Sequence, residues 1–197
     1  MPSCKGRWKK DPLTKQKMKN SRQNKTHKRL LWLCSAGIIA ALYVALTYLA
    51  MALGLDKGAI QVRFSEALCV LAYFTPAAVP GLTIGCLLAN VLTGCAPLDI
   101  LLGPVATFIG ALGAFIIGRI GKGGKVSKVL CTLPNIVSNT IIVPFVIYIC
   151  YTAPSEQSLA ILPFYFLTVF IGEMISCAVL GSVLLFSSEK ALKRILQ

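Results

Sequence analysis

Charged residues are scarce in this chain of 197 residues. They make up 14% of the sequence, whereas an ordinary soluble domain contains about 25%. Hydrophobic residues make up 56%, and the mean hydropathy is +0.74. A water-soluble domain of this size would have to leave large apolar patches exposed. The composition therefore excludes a soluble globular enzyme and indicates a protein of the lipid bilayer.

The sequence also lacks the motifs of common catalytic and metal sites. It has one histidine, His27, and no CxxC pair among its eight cysteines. A zinc or redox site needs clustered soft ligands, so we expect no metal and no cofactor and interpret the cysteines as small buried hydrophobes. No GxxxxGK[ST], HExxH or GxSxG pattern occurs. We therefore predict that the chain is not an enzyme.

Positive charge is abundant but unevenly distributed. The formal net charge is +13, eleven of the 20 Lys and Arg residues lie in 1–29, and none lies in 64–118 or 129–189. Cations in a tail and in short loops beside apolar segments are typical of membrane topology rather than of a nucleic-acid surface. We predict that 1–29 is a disordered cytosolic tail, with lysines that favour anionic lipid headgroups, and that nucleic acid is not a partner.

Apolar segments long enough to cross a bilayer follow this tail. About 20 helical residues cross the ~30 Å hydrocarbon core. The long stretch 65–96 is divided at Thr75-Pro76 and Pro80-Gly81, because proline and glycine interrupt helices, and short or broken spans often line a site. The predicted spans are 30–53, 65–78, 80–93, 99–118, 129–150 and 159–187.

Six spans place both termini on one side of the membrane. With that side cytosolic, 18 of the 20 Lys and Arg residues face the cytosol, and Lys57 and Arg63 face outward. This distribution follows the positive-inside rule, which a single helix over 65–96 would violate. We therefore predict an all-α polytopic protein of the cell membrane, with a six-transmembrane-helix bundle over 30–197 and cytosolic termini.

A few polar side chains fall inside or beside these spans. An intramembrane carboxylate costs about 2.5–3.5 kcal/mol, so it normally faces a cavity or a partner. Glu66 and Asp99 open the second and fourth spans, and Glu173, Asn139 and Asn90 lie deeper. Such acceptors suit a ligand with several N–H donors, for example a nitrogen heterocycle or an amine. Alternatively, the asparagines hold helices together and Asp99 caps a helix.

Small residues recur at helical spacing on the first span. They form two interleaved pairs, Ala36 with Ala40 and Ala41 with Ala45. Small faces of this kind allow close helix approach in lipid. They pack either against another helix of the bundle or against a partner protein.

Several motifs in order resemble the QueT family, the queuosine-precursor substrate-binding (S) components of energy-coupling-factor (ECF) transporters. They are AALYVALT, IQVRFSEAL, FTPAAVPGLTIGCLLANVL, LDILLGPVATFIGA, NTIIVPF and FIGEMIS. The resemblance covers about 36–182. In NTIIVPF, Pro144 stands where we expect glycine in the family, and a proline there would kink the fifth helix.

The resemblance implies a six-helix bundle that binds a vitamin-like compound near the outer face under a lid formed by the loop after the first helix. It also implies docking of the first helix on a transmembrane T component, driven by two cytosolic ATPase subunits that hydrolyse the ATP. Matching residues by position assigns docking to Ala36, Ala40, Ala41 and Ala45. Substrate binding is assigned to Gln61 and Arg63 in the lid, and to Glu66, Asn90, Asp99, Asn139 and Glu173.

The predicted function is capture of a 7-deazaguanine such as prequeuosine or queuine. Glu173 with Asn139 is expected to accept the N–H groups of the guanine-like edge, and Glu66 or Asp99 to meet an aminomethyl cation. Closure of the lid, 54–64, would exclude water. The alternatives are a proton-coupled secondary carrier with Glu173 as proton site, an S component for another vitamin and, least favoured, a membrane enzyme.

Overall fold

Every regular element in the described part of the chain is a helix. The computed structural model describes residues 12–55, 62–121, 124–155 and 157–186, with backbone alone for 12–23. The α-helices are α1 Pro12–Ala52, α2 Ala78–Leu92, α3 Pro97–Ile120, α4 Lys125–Leu130, α5 Leu133–Cys150 and α6 Leu162–Glu173. A 3₁₀ helix runs over Phe64–Tyr73, a 3₁₀ turn over Leu159–Ile161 and a π segment over Met174–Leu180.

Four helical segments among the described residues are long and apolar enough to cross a membrane. They are Asn24–Ala52, Pro97–Ile120, Lys125–Cys150 and Leu159–Phe186. The all-helical, multi-pass architecture expected from the sequence is thus confirmed. The 3₁₀ helix and α2 are shorter apolar helices at the positions of the second and third predicted spans. Six crossings and cytosolic termini remain predictions.

The 3₁₀ helix occupies the interior of the bundle. Ser65 through Ala72 are all buried, and the helix contacts α2, α3 and the π segment. A 3₁₀ helix rises about 2.0 Å per residue against 1.5 Å for an α-helix, so its ten residues reach about 20 Å. The stretched geometry lets a short segment cover more of the bilayer depth. The Thr75–Pro76 pair then separates it from α2, as the sequence predicted. The second predicted break, Pro80-Gly81, lies inside the start of α2 and does not interrupt it, since proline is tolerated in the first turn of a helix.

Helix α2 packs closely on α1 through glycines. A Cβ atom added at Gly85 would lie 2.7 Å from the Tyr43 Cβ and 3.0 Å from the Ala40 Cα. At Gly81 an added Cβ would lie 2.8 Å from the Ala36 carbonyl oxygen. Two glycines four residues apart thus provide the small face that receives α1, which is the packing expected between membrane helices.

Helix α1 begins well before the membrane segment. Residues 12–29, which the sequence predicted to be disordered, are helical in the structure, and 1–11 lie outside the described residues. Lys, Arg and Gln are good helix formers, and extending an existing helix needs no new nucleus, so this basic stretch continues the apolar helix. The chain divides between Cys34 and Ser35 into two units.

Helix α5 continues through Pro144. The proline is buried inside the helix, which runs unbroken from Leu133 to Cys150. Its neighbours Val143, Val146 and Ile147 line the cavity described below. The residue that departs from the expected family pattern therefore lies next to the lining of the candidate site and does not end the helix.

Candidate functional site

A cavity of about 340 Å³ lies where α1, α2 and α5 end and α3 begins. We call it the main cavity. This volume is at the lower end of the range of small-molecule sites, about 300–1,000 Å³. Its walls are mainly apolar with a few polar groups: Thr47, Ala50, Met51, Arg63, Asn90, Thr93, Gly94, Cys95, Asp99, Val143, Val146, Ile147 and Tyr151.

Asp99 lies in the first turn of α3, which starts at Pro97. Proline suits a first helical position, and a carboxylate there interacts favourably with the positive end of the helix dipole. One oxygen, Oδ2, accepts a hydrogen bond of 3.2 Å from the Tyr151 hydroxyl and lies 3.8 Å from Nη2 of Arg63. The other, Oδ1, is buried and accepts no hydrogen bond from the described residues. Asp99 thus has one buried oxygen without a donor among the described residues.

Asn90 joins α2 to the start of α3. Its Nδ2 donates a hydrogen bond of 3.0 Å to the carbonyl oxygen of Asp99. Gly103, one turn further along α3, makes room for this amide, since a Cβ there would lie 2.6 Å from Nδ2 of Asn90. The absence of a side chain at 103 therefore lets two polar groups meet at the wall of the main cavity.

Tyr151, which follows α5, was not among the predicted site residues. Its hydroxyl accepts a hydrogen bond of 3.0 Å from the Ala96 backbone N–H and donates one to Asp99. Partial burial, together with the negative charge of Asp99, raises the pKa of Tyr151 to about 12. The phenol therefore stays protonated at physiological pH and acts as a donor. The sequence signal that could have identified Tyr151 is its position directly after an apolar helix.

A second, smaller space adjoins the main cavity. It measures about 20 Å³, room for about one water molecule, and we call it the side pocket. Asn139, Val169 and Glu173 line it together with Arg63 and Val143, which also line the main cavity. Nδ2 of Asn139 is buried beside Glu173, without a hydrogen bond of regular geometry to a described residue. The side pocket thus brings a buried amide and a buried carboxylate together.

Glu66 is engaged in helix packing. The Tyr43 hydroxyl donates to its Oε1, and Nδ2 of Asn135 donates to its Oε2 at 2.8 Å. Nearby, the Cys177 thiol donates to Oε2 of Glu173 at 3.2 Å. Because both Glu66 oxygens already have donors, we interpret this residue as a link between α1, the 3₁₀ helix and α5. Sequence reasoning missed Tyr43 and Asn135, whose polar atoms had no recognisable spacing relative to Glu66.

Three buried groups of this cluster lie close enough to hold a metal ion. The ligand atoms of Glu66, Glu173 and Cys177 are within 4.8 Å of one another. The hydrogen bonds just described already use the Glu66 oxygens and the Cys177 thiol. The arrangement therefore satisfies buried polar groups within the bundle.

A family model described as QueT transporter matches residues 33–190. The chain belongs to the QueT transporter family. This confirms the resemblance seen in the sequence motifs and supports a membrane transport role. Comparison with curated proteins and with solved structures gives no match.

The predicted binding residues of this QueT family chain fall into three groups. Arg63, Asn90 and Asp99 line the main cavity. Asn139 and Glu173 line the side pocket with Arg63, and Glu66 lies in the packing cluster. Gln61 and most of the predicted lid lie outside the described residues.

The predicted docking residues of the QueT family chain divide between two faces of α1. Ala36 and Ala40 are buried and contact α2 through Gly81 and Gly85. Ala41 and Ala45 are exposed. Their spacing explains the division, since successive residues on a helix are rotated by about 100° and the two interleaved pairs point in different directions.

Proposed function

We propose that this chain is the substrate-binding subunit of an ECF-type ATP-driven importer and that it captures a 7-deazaguanine from outside the cell. The observation that carries the proposal is the main cavity with an unpaired buried acceptor, Oδ1 of Asp99. An intramembrane carboxylate of this kind normally serves a cavity or a partner. Membership of the QueT transporter family supports a transported substrate.

The cavity suits a flat heterocycle with N–H donors. Val143, Val146 and Ile147 provide apolar surface for a ring. Asp99 would accept one or two N–H groups or meet an aminomethyl cation, and a buried polar site strongly rejects ligands without matching groups. The sequence had assigned the guanine-like edge to Glu173 with Asn139. Because Glu173 and Asn139 line the side pocket, we now assign recognition of the guanine-like edge mainly to Asp99.

The charge distribution supports an outward-facing main cavity. Asp99 and Arg119 lie at opposite ends of α3, and the connection after Arg119 carries Lys125 and Lys128. Cationic connections stay on the cytosolic side, so the Asp99 end would face outward. The 3₁₀ helix and α2 would then complete six crossings with both termini cytosolic.

The proposed partners are a T component and two cytosolic ATPase subunits. Among the four small residues of α1, Ala41 and Ala45 are exposed and therefore available to a helix of the T component. Gly37 extends this row, and nothing lies within 4 Å of a Cβ added there. A small exposed face permits close contact with another membrane helix.

Titration calorimetry on the purified chain tests the substrate. We expect tight binding of prequeuosine and no binding of riboflavin, whose ring system is larger and lacks the guanine-like edge. A Ser138→Ala variant is the matched control, since this buried hydroxyl donates to the Ala106 carbonyl and does not line the cavity. If the chain binds neither compound or both equally, the proposed substrate class is wrong.

A proton-coupled secondary carrier is the second candidate. It is favoured by the buried carboxylates of Glu66 and Glu173, which approach within 4.8 Å. Intramembrane carboxylates in such positions form proton relays in carriers. Uptake by the chain alone, driven by a proton gradient in proteoliposomes without ATPase subunits, would favour this function over the first.

A further inference from the structure

Arg63 and Val143 are shared by the two spaces, and we call these two side chains the wall. Both side chains line the main cavity, and both line the side pocket. Asn139, Val169 and Glu173 line the side pocket and are not part of the main-cavity wall. The two wall residues therefore lie where the main cavity and the side pocket are adjacent.

Arg63 is held in this wall from two sides. Its backbone N–H donates a hydrogen bond of 3.2 Å to Oγ of Ser176 in the π segment. Its guanidinium Nη2 lies 3.8 Å from Oδ2 of Asp99, beyond the 2.7–2.9 Å of a close charge-assisted hydrogen bond. The backbone bond fixes where the side chain starts, and the ion pair holds its end near Asp99. Val143, one residue before Pro144 in α5, completes the wall with apolar bulk.

The side pocket is very small. Nδ2 of Asn139 is buried there beside Glu173, without a hydrogen bond of regular geometry to a described residue. At about 20 Å³, the pocket is too small for a ring or a side chain of several atoms.

We propose that Arg63 and Val143 are specificity-determining residues that limit the length of ligand the site admits, an inference that rests on the proposed function of the main cavity. On its side of the wall the main cavity offers about 340 Å³. The chain therefore prefers a 7-deazaguanine with a small substituent, such as prequeuosine, over queuine, which carries an additional ring with hydroxyl groups. Shortening either wall residue joins the two spaces and admits the longer ligand.

Thiol labelling tests the wall without any ligand. In a Val169→Cys variant the new thiol lies in the side pocket, whereas the native Cys95 lines the main cavity and Cys177 is buried. The full chain in lipid nanodiscs is treated with a small methanethiosulfonate reagent, and labelling of each site is followed by peptide mass spectrometry. We expect Cys95 to react fast and position 169 slowly.

Additional substitutions in the Val169→Cys chain test the two wall residues. Arg63→Ala and Val143→Ala are each expected to accelerate labelling at position 169 about 10-fold, because reaction depends on access of the reagent to the thiol. Arg63→Met retains most of the bulk without the charge and should keep labelling slow. The Cys95 rate and the helical circular dichroism signal are the controls for an intact fold.

Three results would contradict the proposed role of Arg63 and Val143. Position 169 could react as fast as Cys95 while Arg63 and Val143 are both present. Neither alanine variant could accelerate the reaction in a folded chain. Arg63→Met could open the pocket as much as Arg63→Ala, which would assign the effect to charge rather than to bulk.

Calorimetry with prequeuosine and queuine tests the effect on selection. We expect the unmodified chain to favour prequeuosine, and Val143→Ala, which leaves every charge in place, to raise the relative affinity for queuine about 10-fold. An unchanged ratio in both Val143→Ala and Arg63→Ala would contradict size selection. If the unmodified chain binds neither compound, the proposed function fails, and the labelling experiment still decides whether the wall exists.

Discussion

Asp99 shows how much of a binding site can depend on one side chain. Its two oxygens have different surroundings, because Oδ2 receives the Tyr151 hydroxyl and Oδ1 has no donor among the described residues. Asn90 holds the backbone of the same residue. The carboxylate is therefore positioned by its neighbours, while one of its oxygens is left without a donor among the described residues.

Replacement of Asp99 by asparagine is expected to weaken prequeuosine binding about 10- to 100-fold. A hydrogen bond to a charged group contributes about 1.5–3 kcal/mol, and each 1.4 kcal/mol corresponds to a factor of ten. Calorimetry on Asp99→Asn and on the Ser138→Ala control measures the difference. Equal affinities in the two variants would remove Asp99 from the recognition of the substrate.

Glu66 has a different role at the same scale. Tyr43→Phe removes the hydroxyl that donates to Glu66 in the buried interior. Leaving a buried acceptor unpaired costs about 1–3 kcal/mol, so we expect a lower midpoint of thermal unfolding in detergent. Tyr48→Phe is the matched control, because that hydroxyl donates to the Leu92 carbonyl at an exposed position. If the two variants unfold at the same temperature, the Glu66 cluster does not stabilise the fold.

At the scale of elements, irregular helices surround the polar groups. The 3₁₀ helix carries Glu66, and the π segment begins directly after Glu173. Segments with 3₁₀ and π geometry are often found at functional positions, because they rotate side chains out of the regular α-helical register. The sequence predicted where these segments lie but not their helix type, since local propensity does not distinguish these geometries.

The contact between α1 and α2 depends on glycine. Gly85→Ala places a Cβ 2.7 Å from the Tyr43 Cβ, so α2 would have to move away from α1. We expect Gly85→Ala to lower the unfolding midpoint, whereas Gly37→Ala has open space around its Cβ and should leave it unchanged or raise it, because alanine is the better helix former by about 1 kcal/mol. Thermal unfolding of the two variants is compared. A larger loss in Gly37→Ala would contradict the close contact.

At the scale of the whole molecule, the two faces of α1 have different roles. The buried face packs within the fold, and the exposed face is proposed to dock on the T component. Ala41→Leu enlarges an exposed residue, so we expect substrate binding to remain and uptake in cells with the T component and ATPase subunits to be lost. Val137→Leu, at an exposed position on α5, is the control and should retain uptake.

Substitution in the buried pair of α1, Ala36 and Ala40, should have a different effect from substitution of Ala41. Ala36→Leu would force bulk against α2 near Gly81, and we expect it to impair folding itself. Full uptake by Ala41→Leu would show that this face does not dock the partner. Loss of binding in Ala41→Leu would place Ala41 within the fold rather than at an interface.

The amino-acid sequence by itself determined the membrane architecture of this protein. Hydropathy and the break at Pro76 are local properties, so they located every apolar helix to within a few residues. The second predicted break, at Pro80, was wrong, because a proline in the first turn of a helix removes no helical hydrogen bond. The helical stretch over 12–29 was missed because a polar, basic composition without hydrophobic periodicity was taken as a sign of disorder, although Lys, Arg and Gln favour helix.

Only the tertiary structure decided which polar groups bind one another and which remain free. Asn135 and Glu66 are 69 residues apart, and Tyr151 and Asp99 are 52 apart. Whether a carboxylate is used in packing or left for a ligand depends on donors brought by other helices. No local pattern contains that information, because it arises when the helices pack.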